Sequence, residues 1–536
     1  MKKLSILVFV LALASLAWAV PARQRAIDVV QPDGSTLTLY PHGDERFHWF
    51  TNEQGHWMTL GQDGFYHVTE ALTSQQIDKR IATSQRAVQA EYPLNIAPRG
   101  LVILVNFSDV AFETEKAEMD SMLTGTDYRR NYSYTYRGTN YSVVSQGSAR
   151  QYFQDASYGQ YNPQFDVVGP VTVSKTASYY GRNDSYGNDM YADKMVSEAC
   201  KLADSEFDVD FTQYDNNNDG YVDFVFVIYA GYGEADGGAS TTIWPHSWNL
   251  LSAGTQCKVD DKTVDLYACG NELDFYSKKH TGIGTFCHEF SHVLGLPDLY
   301  VTNTASHATM NEWDVMDYGP YNNEGNTPPT FSAYERFFMG WLTPRLITQP
   351  EDITLEALHE TNTALMITNN DSSNLVGNNP DPTTFYMIEN RQQVGWDAHL
   401  PSHGMMLTKI QYNYSRWNNN TVNNSSSKMG VDLIEANGRT SDQGRATDLF
   451  PAGASQYLGI AEHAIEDIEE TDGVITFKYR GGNEDPDTAI DNVVLNQEVI
   501  AIYNILGQLQ STTNMLDLPR GCYIIKTHQG SKKILR

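Results

Sequence analysis

Apolar residues recur along this chain in three successive rhythms. Over residues 20–98, short alternating runs broken by turns such as Gln31-Pro32-Asp33-Gly34 and Gln62-Asp63-Gly64 predict a string of strands that closes in a polar helical stretch. The middle of the chain mixes buried strands with helices. Gly100-Leu101-Val102-Ile103-Leu104-Val105-Asn106-Phe107 is almost continuously apolar, the signature of a strand covered on both faces, and 221–229 is a second such run, β-branched and aromatic. Helices are expected at 149–154, at 190–203, where Met195, Ala199 and Leu202 recur at helical spacing, and at 331–342. From 346 to 481 the pattern turns to short alternating runs separated by Asn, Asp, Gly and Pro, as in a β-sandwich, with Tyr386-Met387-Ile388-Glu389-Asn390-Arg391 and Gly404-Met405-Met406-Leu407 as strands. The Asn/Ser-rich stretch 417–427 within it is expected to be a solvated loop.

One stretch of the middle region carries chemistry: His288-Glu289-Phe290-Ser291-His292-Val293-Leu294-Gly295-Leu296-Pro297-Asp298. Histidines four residues apart share one face of a helix, close enough for both imidazoles to bind one Zn²⁺. Glu289 then lies beside the metal, where it suits a general base that takes a proton from water activated by the cation. Gly295 lets the chain leave the helix in a conformation closed to most residues and swings Asp298 back as third ligand. Glu335, on the helix expected downstream, is the competing third ligand; the register of Asp298 after the glycine favours Asp298.

Downstream, Trp313-Asp314-Val315-Met316-Asp317-Tyr318-Gly319 resembles the Met-turn of metzincin peptidases, and the whole pattern resembles the immune inhibitor A (thuringilysin-like) family of secreted zinc metallopeptidases. The resemblance implies that Met316 underlies the metal without binding it, that Tyr318 approaches the metal or the transition-state oxyanion, and that an N-terminal propeptide keeps the enzyme latent. That segment contains no cysteine, so no thiol caps the zinc. The tail, with Val499-Ile500-Ala501-Ile502-Tyr503-Asn504 and Tyr523-Ile524-Ile525-Lys526, reads as a small antiparallel unit and resembles the C-terminal sorting domains of the type IX secretion pathway.

Composition narrows the setting. Lys2 and Lys3, an apolar run over 4–16 and Ala17-Trp18-Ala19 form a secretory signal, so the mature chain is expected to begin near Val20, and no later run approaches the length of a transmembrane helix. With 66 acidic against 37 basic residues and a net charge of −29, the chain repels nucleic acid and tolerates divalent cations. Export permits disulfides: of five cysteines, Cys257 and Cys269 flank a short polar segment and are expected to staple a hairpin, Cys287 to pack near Cys200, and Cys522 to be left over. Asp215-Asn216-Asn217-Asn218-Asp219-Gly220-Tyr221-Val222-Asp223 has the ligand spacing of half an EF-hand loop but lacks the closing glutamate. It is either a Ca²⁺ site formed by Asp215, Asn217, Asp219 and Asp223 or a metal-free Asn/Asp/Gly turn.

The reading is therefore a multidomain chain: signal peptide 1–19, propeptide 20–98, an α/β (metzincin-like) zinc peptidase domain 99–345, a β-sandwich 346–481, a linker 482–488 and a small C-terminal β domain 489–536. The expected function is secreted or surface-attached zinc endopeptidase acting on protein or peptide substrates, exported by type IX machinery. A surface adhesin with an inherited metal site, or an amidase acting on cell-wall peptides, are the competing classes.

Overall fold

A computed structural model describes residues 20–77, 97–184, 188–439, 444–483, 499–513, 518, 522–527 and 530–535, with the side chains of 522, 527 and 530–535 left out. The expected signal peptide, the polar helical stretch beyond Ile77 and most of the linker lie outside the described residues. Among those residues no helix is long and apolar enough to cross a membrane.

Five strands form the N-terminal sheet, an antiparallel meander of β1 (Ile27–Val30), β2 (Thr36–Asp44), β3 (Phe47–Thr51), β4 (Trp57–Leu60) and β5 (Tyr66–Val68). The central sheet comprises β6 (Arg99–Asn106), β7 (Gln164–Thr172), β8 (Val225–Tyr232), β9 (His246–Asn249) and β10 (Leu266–Leu273) in the order β9-β10-β8-β6-β7. Four of these strands run parallel, and β9 lies antiparallel at the edge beside β10. Because side chains alternate across a strand, the apolar run of β6 feeds two cores. Leu101, Ile103 and Val105 pack with Val225 and Val227 against helix α2 (Ala192–Phe207). Val102 and Leu104 face the opposite side, where α1 (Ala149–Ala156) and α3 (Gly284–Val293) pack. Phe290 of α3 sits 4.9 Å from both Phe153 and Phe224, so the helix carrying the histidines is set on the sheet by interlocking aromatic rings.

Helix α4 (Ala333–Phe338) follows, and then two further sheets. The first contains β11 (Arg345–Leu346), β13 (Leu365–Ile367), β14 (Thr384–Arg391), β15 (Gly404–Gln411) and β16 (Val431–Leu433); the second contains β12 (Glu351–Leu355), β17 (Ile465–Thr471) and β18 (Val474–Tyr479). Ile353, Ile388, Leu407, Ile465 and Phe477 form one core between them. The other face of the first sheet contributes Met387, Met406 and Ile410 to the same cluster as α3 and α4, so apolar packing is continuous across residue 345. At the C-terminal end β19 (Val499–Asn504), β20 (Cys522–Thr527) and β21 (Gly530–Leu535) pair antiparallel.

Several local expectations are corrected. The run 221–229 is broken: Tyr221–Val222 pairs with Lys262–Val264 in a separate three-stranded sheet, while β8 begins at Val225. Between them the buried Asp223 carboxylate accepts from Asn216 N (2.6 Å) and Nδ2 (2.7 Å), which ties the chain into a turn. The helix at 331–342 is shorter, since a Ser332/Glu335 capping box starts it and Gly340, at φ +76°, follows its end. Cys257 and Cys269 form no staple: both thiols are free, and Cys257 Sγ donates to Ser197 O at 3.8 Å. Cys287 packs on the opposite face of the sheet from Cys200. The stretch 417–427 is only partly a solvated loop, because Trp417, Asn420, Val422 and Asn423 are buried while 418–419 and 425–427 are exposed.

Candidate metal centre and active site

Helix α3 places His288 and His292 one turn apart, ring centroids 4.6 Å from each other and nearly perpendicular. Each ring spends its Nδ1 on a backbone carbonyl, His288 on Val315 O (2.8 Å) and His292 on Leu296 O (2.8 Å). A carbonyl only accepts, so both Nδ1 atoms carry the proton and both Nε2 atoms present lone pairs. Those two Nε2 atoms lie 3.1 Å apart, and each is 3.3 Å from Asp298 Oδ1. All three side chains are fully buried, and Asp298 Oδ1 has no hydrogen-bond donor. Three electron-pair donors turned on one another in a dry site repel unless a cation lies among them. Two imidazoles with a single carboxylate suit the borderline cation Zn²⁺, so the residues fit the metal. Among the described residues this is the only group of His, Cys, Asp and Glu side chains with such spacing.

The turn out of the helix explains the third donor. Gly295 adopts φ +95°, a left-handed conformation that favours glycine, and its N–H closes on His292 O at 2.9 Å. Asp298 is then locked by a residue from the distant stretch 417–427: Asp298 N donates to Asn420 Oδ1 (2.7 Å), and Asn420 Nδ2 donates to Asp298 Oδ2. Burial pushes the Asp298 carboxyl up, but His292 and His288 outweigh it and hold it well below the usual range. Asn423 braces the same loop, donating to Leu299 O (2.7 Å) and Val431 O (2.8 Å). Sequence reasoning missed Asn420, since an asparagine some 120 residues away in a polar run has no spacing to betray it.

Glu335, the competing third ligand, is spent elsewhere: its Oε2 accepts from Ser332 N (2.7 Å) and Oγ (3.0 Å) in the capping box of α4. Met316 is buried in the downstream turn, and its carbonyl accepts from Leu299 N at 2.8 Å. Its neighbour Val315 supplies the carbonyl that orients His288, so the turn acts through its backbone. Gly284, at the start of α3, lets this region close: an added Cβ would lie 1.9 Å from Pro320 O. In the 215–223 loop, Asp215 is held by Lys262 Nζ (2.6 Å) and by the Asp219 and Gly220 amides (3.0 Å each), while Asn217 Nδ2 donates to Asp219 Oδ2. Asp215 and Asp219 are thus satisfied without a cation, whereas the buried Asp223 Oδ1 has no hydrogen-bond partner.

Glu289 is buried beside the three donors. Burial raises its carboxyl well above the usual range, with Asp298 and Glu45 adding to the effect. Its Oε1 accepts from the backbone N–H of Val20 at 3.0 Å, and its Oε2 has no partner. The stretch from Val20 to Gln24 lies across the site. Trp244 Nε1 donates to Val20 O (3.2 Å), Tyr321 Oη to Pro21 O (2.7 Å), and Gln24 Nε2 to Tyr318 Oη (2.7 Å). Glu45, in the β2–β3 turn, is also buried here, and burial, then Asp44, pushes its carboxyl up.

Two helical imidazoles, a returning carboxylate and an adjoining unligated glutamate define the class of metal-dependent peptidases. Residues 94–342 match the family described as Immune inhibitor A peptidase M6, catalytic domain. Immune inhibitor A of Bacillus thuringiensis subsp. alesti is 30% identical over 270 residues, 44% of this chain and 39% of that relative. Pre-pro-metalloprotease PrtV of Vibrio cholerae serotype O1 is 29% identical over 260 residues, 43% of this chain and 28% of the relative. The matches thus span well under half the length of these relatives, and they support a metallopeptidase with an M6-type catalytic region.

Proposed function

We propose that this chain is a secreted zinc endopeptidase made as a latent precursor, with residues 20–98 as propeptide, 99–345 as catalytic domain and 346–481 as accessory domain. The observation that carries the reading is the mutual approach of His288 Nε2, His292 Nε2 and Asp298 Oδ1 without a donor to share. When bound, Zn²⁺ supplies a Lewis acid that makes water acidic and polarises a scissile carbonyl. Glu289 takes the proton of the attacking water on its unpartnered Oε2 and passes it to the leaving amine. His288 and His292 hold their lone pairs at the metal through their carbonyl-bound Nδ1 protons, and Asn420 fixes Asp298. Tyr318, once Gln24 has withdrawn, presents its hydroxyl to the tetrahedral oxyanion.

Latency follows from the same contacts. A backbone N–H on Glu289 and side chains packed into the cleft exclude substrate from the base. The three-stranded C-terminal sheet supports a sorting module that addresses the chain to a type IX exporter. The test is metal analysis joined to a casein assay: about one zinc per chain, with cleavage abolished by a zinc chelator and restored by zinc, is expected. Cleavage that persists in metal-free protein refutes the reading.

A further inference from the structure

The N-terminal segment enters the cleft in an order that a substrate would share. Hydrolysis leaves the amine of the C-terminal product next to the carboxylate that protonated it, and Val20 N occupies that place on Glu289. Residues 20–23 therefore trace the path of the product's first four residues, with Arg23 N bonded to Ala235 O at 3.0 Å. Arg23 is the fourth. Its guanidinium is buried in a cage built from the catalytic region: Nη1 lies 3.0 Å from Asp236 Oδ1 and 2.6 Å from Asp274 Oδ2, and Nη2 contacts Glu324. The Tyr276 and Tyr321 rings wall it at 4.7 and 5.6 Å.

Such a cage exceeds what a surface ion pair requires. Asp236 and Asp274 are both buried, and buried carboxylates are costly without a cation. A planar guanidinium satisfies them by charge-assisted bonds while its faces lie on aromatic rings. Once the N-terminal segment leaves, the cage opens onto the cleft and its three carboxylates lose the guanidinium groups of Arg23 and Arg25. We propose that Asp236, Asp274 and Glu324, with Tyr276 and Tyr321, form a specificity subsite for a cationic side chain, arginine above lysine, at the fourth residue C-terminal to the scissile bond. The proposal rests on the peptidase reading above.

The test uses the processed, zinc-loaded protein and a peptide series identical except for Arg, Lys, Leu or Glu at that residue. The expected kcat/KM for Arg exceeds that for Leu by roughly tenfold to a hundredfold, with Glu lowest. Asp274→Asn should collapse the Arg-to-Leu ratio; Glu324→Gln, at the rim, should reduce it without replacing a fully buried group. Equal cleavage of all four peptides overturns the subsite and leaves the peptidase intact. An Arg preference erased by added calcium also overturns it, giving the carboxylates to a metal ion. No cleavage of any peptide defeats the peptidase reading itself.

Discussion

Glu289 is the residue proposed to separate metal binding from turnover. It contributes no electron pair to the His288, His292, Asp298 group, so Glu289→Gln is expected to keep zinc while lowering casein hydrolysis by about 10²- to 10⁴-fold; metal content and rate are read on one sample. Asn420 makes the complementary case. Asn420→Ala removes both bonds that lock Asp298 and is expected to weaken zinc roughly 10- to 100-fold, measured by competition with a chromogenic chelator. The first residue is legible in sequence because helical spacing ties it to two histidines. The second is not, since its partner lies 122 positions away and only the folded chain brings them together.

At the level of elements, helix α3 and its exit turn were readable from period and punctuation: two histidines at i and i+4, then a glycine. Gly295→Ala tests the turn. Its added methyl meets nothing closer than Phe338 at 3.9 Å, so the cost is backbone strain at φ +95°, about 1 to 2 kcal/mol. Loss of thermal stability in zinc-free protein, with weakened metal binding, is the expected result. The run 221–229 departs from its apolar pattern for a related reason. Apolar content predicted one element, but a buried Asp223 collecting two Asn216 donors divides it, and hydropathy carries no information about which partner a carboxylate finds. The polar stretch 417–427 fails likewise in part: Asn420 and Asn423 are buried because their amide groups have backbone or side-chain partners, while Asn418 and Asn419 stay exposed.

Across the whole molecule, the N-terminal sheet is joined to the cleft by charges as well as by shape. His48 of β3 lies 3.0 Å from Glu234 Oε1 and stacks on Trp244 at 4.4 Å. Burial lowers the imidazole's pKa, but Glu234, with Asp189 and the Asp44 carbonyl, outweighs it, and the net shift is upward. A raised histidine pKa contributes stability that is complete below its unfolded value of about 6.5 and disappears as pH climbs through the folded value. The segment is therefore expected to loosen on the alkaline side. In a Glu289→Gln background, trypsin cleavage within residues 20–77 should accelerate from pH 6 to about pH 9, and His48→Gln should flatten that profile.

The unbroken apolar cluster running from α3 through α4 into β14 and β15 sets a boundary on how this protein can be taken apart. A chain trimmed at residue 345 would retain every side chain proposed to touch zinc or water, yet it would lose Asn420 and bare the greasy underside of α4. The smallest chain expected to hold zinc accordingly extends past the last of the residues proposed to act on it, and what looks like an appended module is the floor on which those side chains stand.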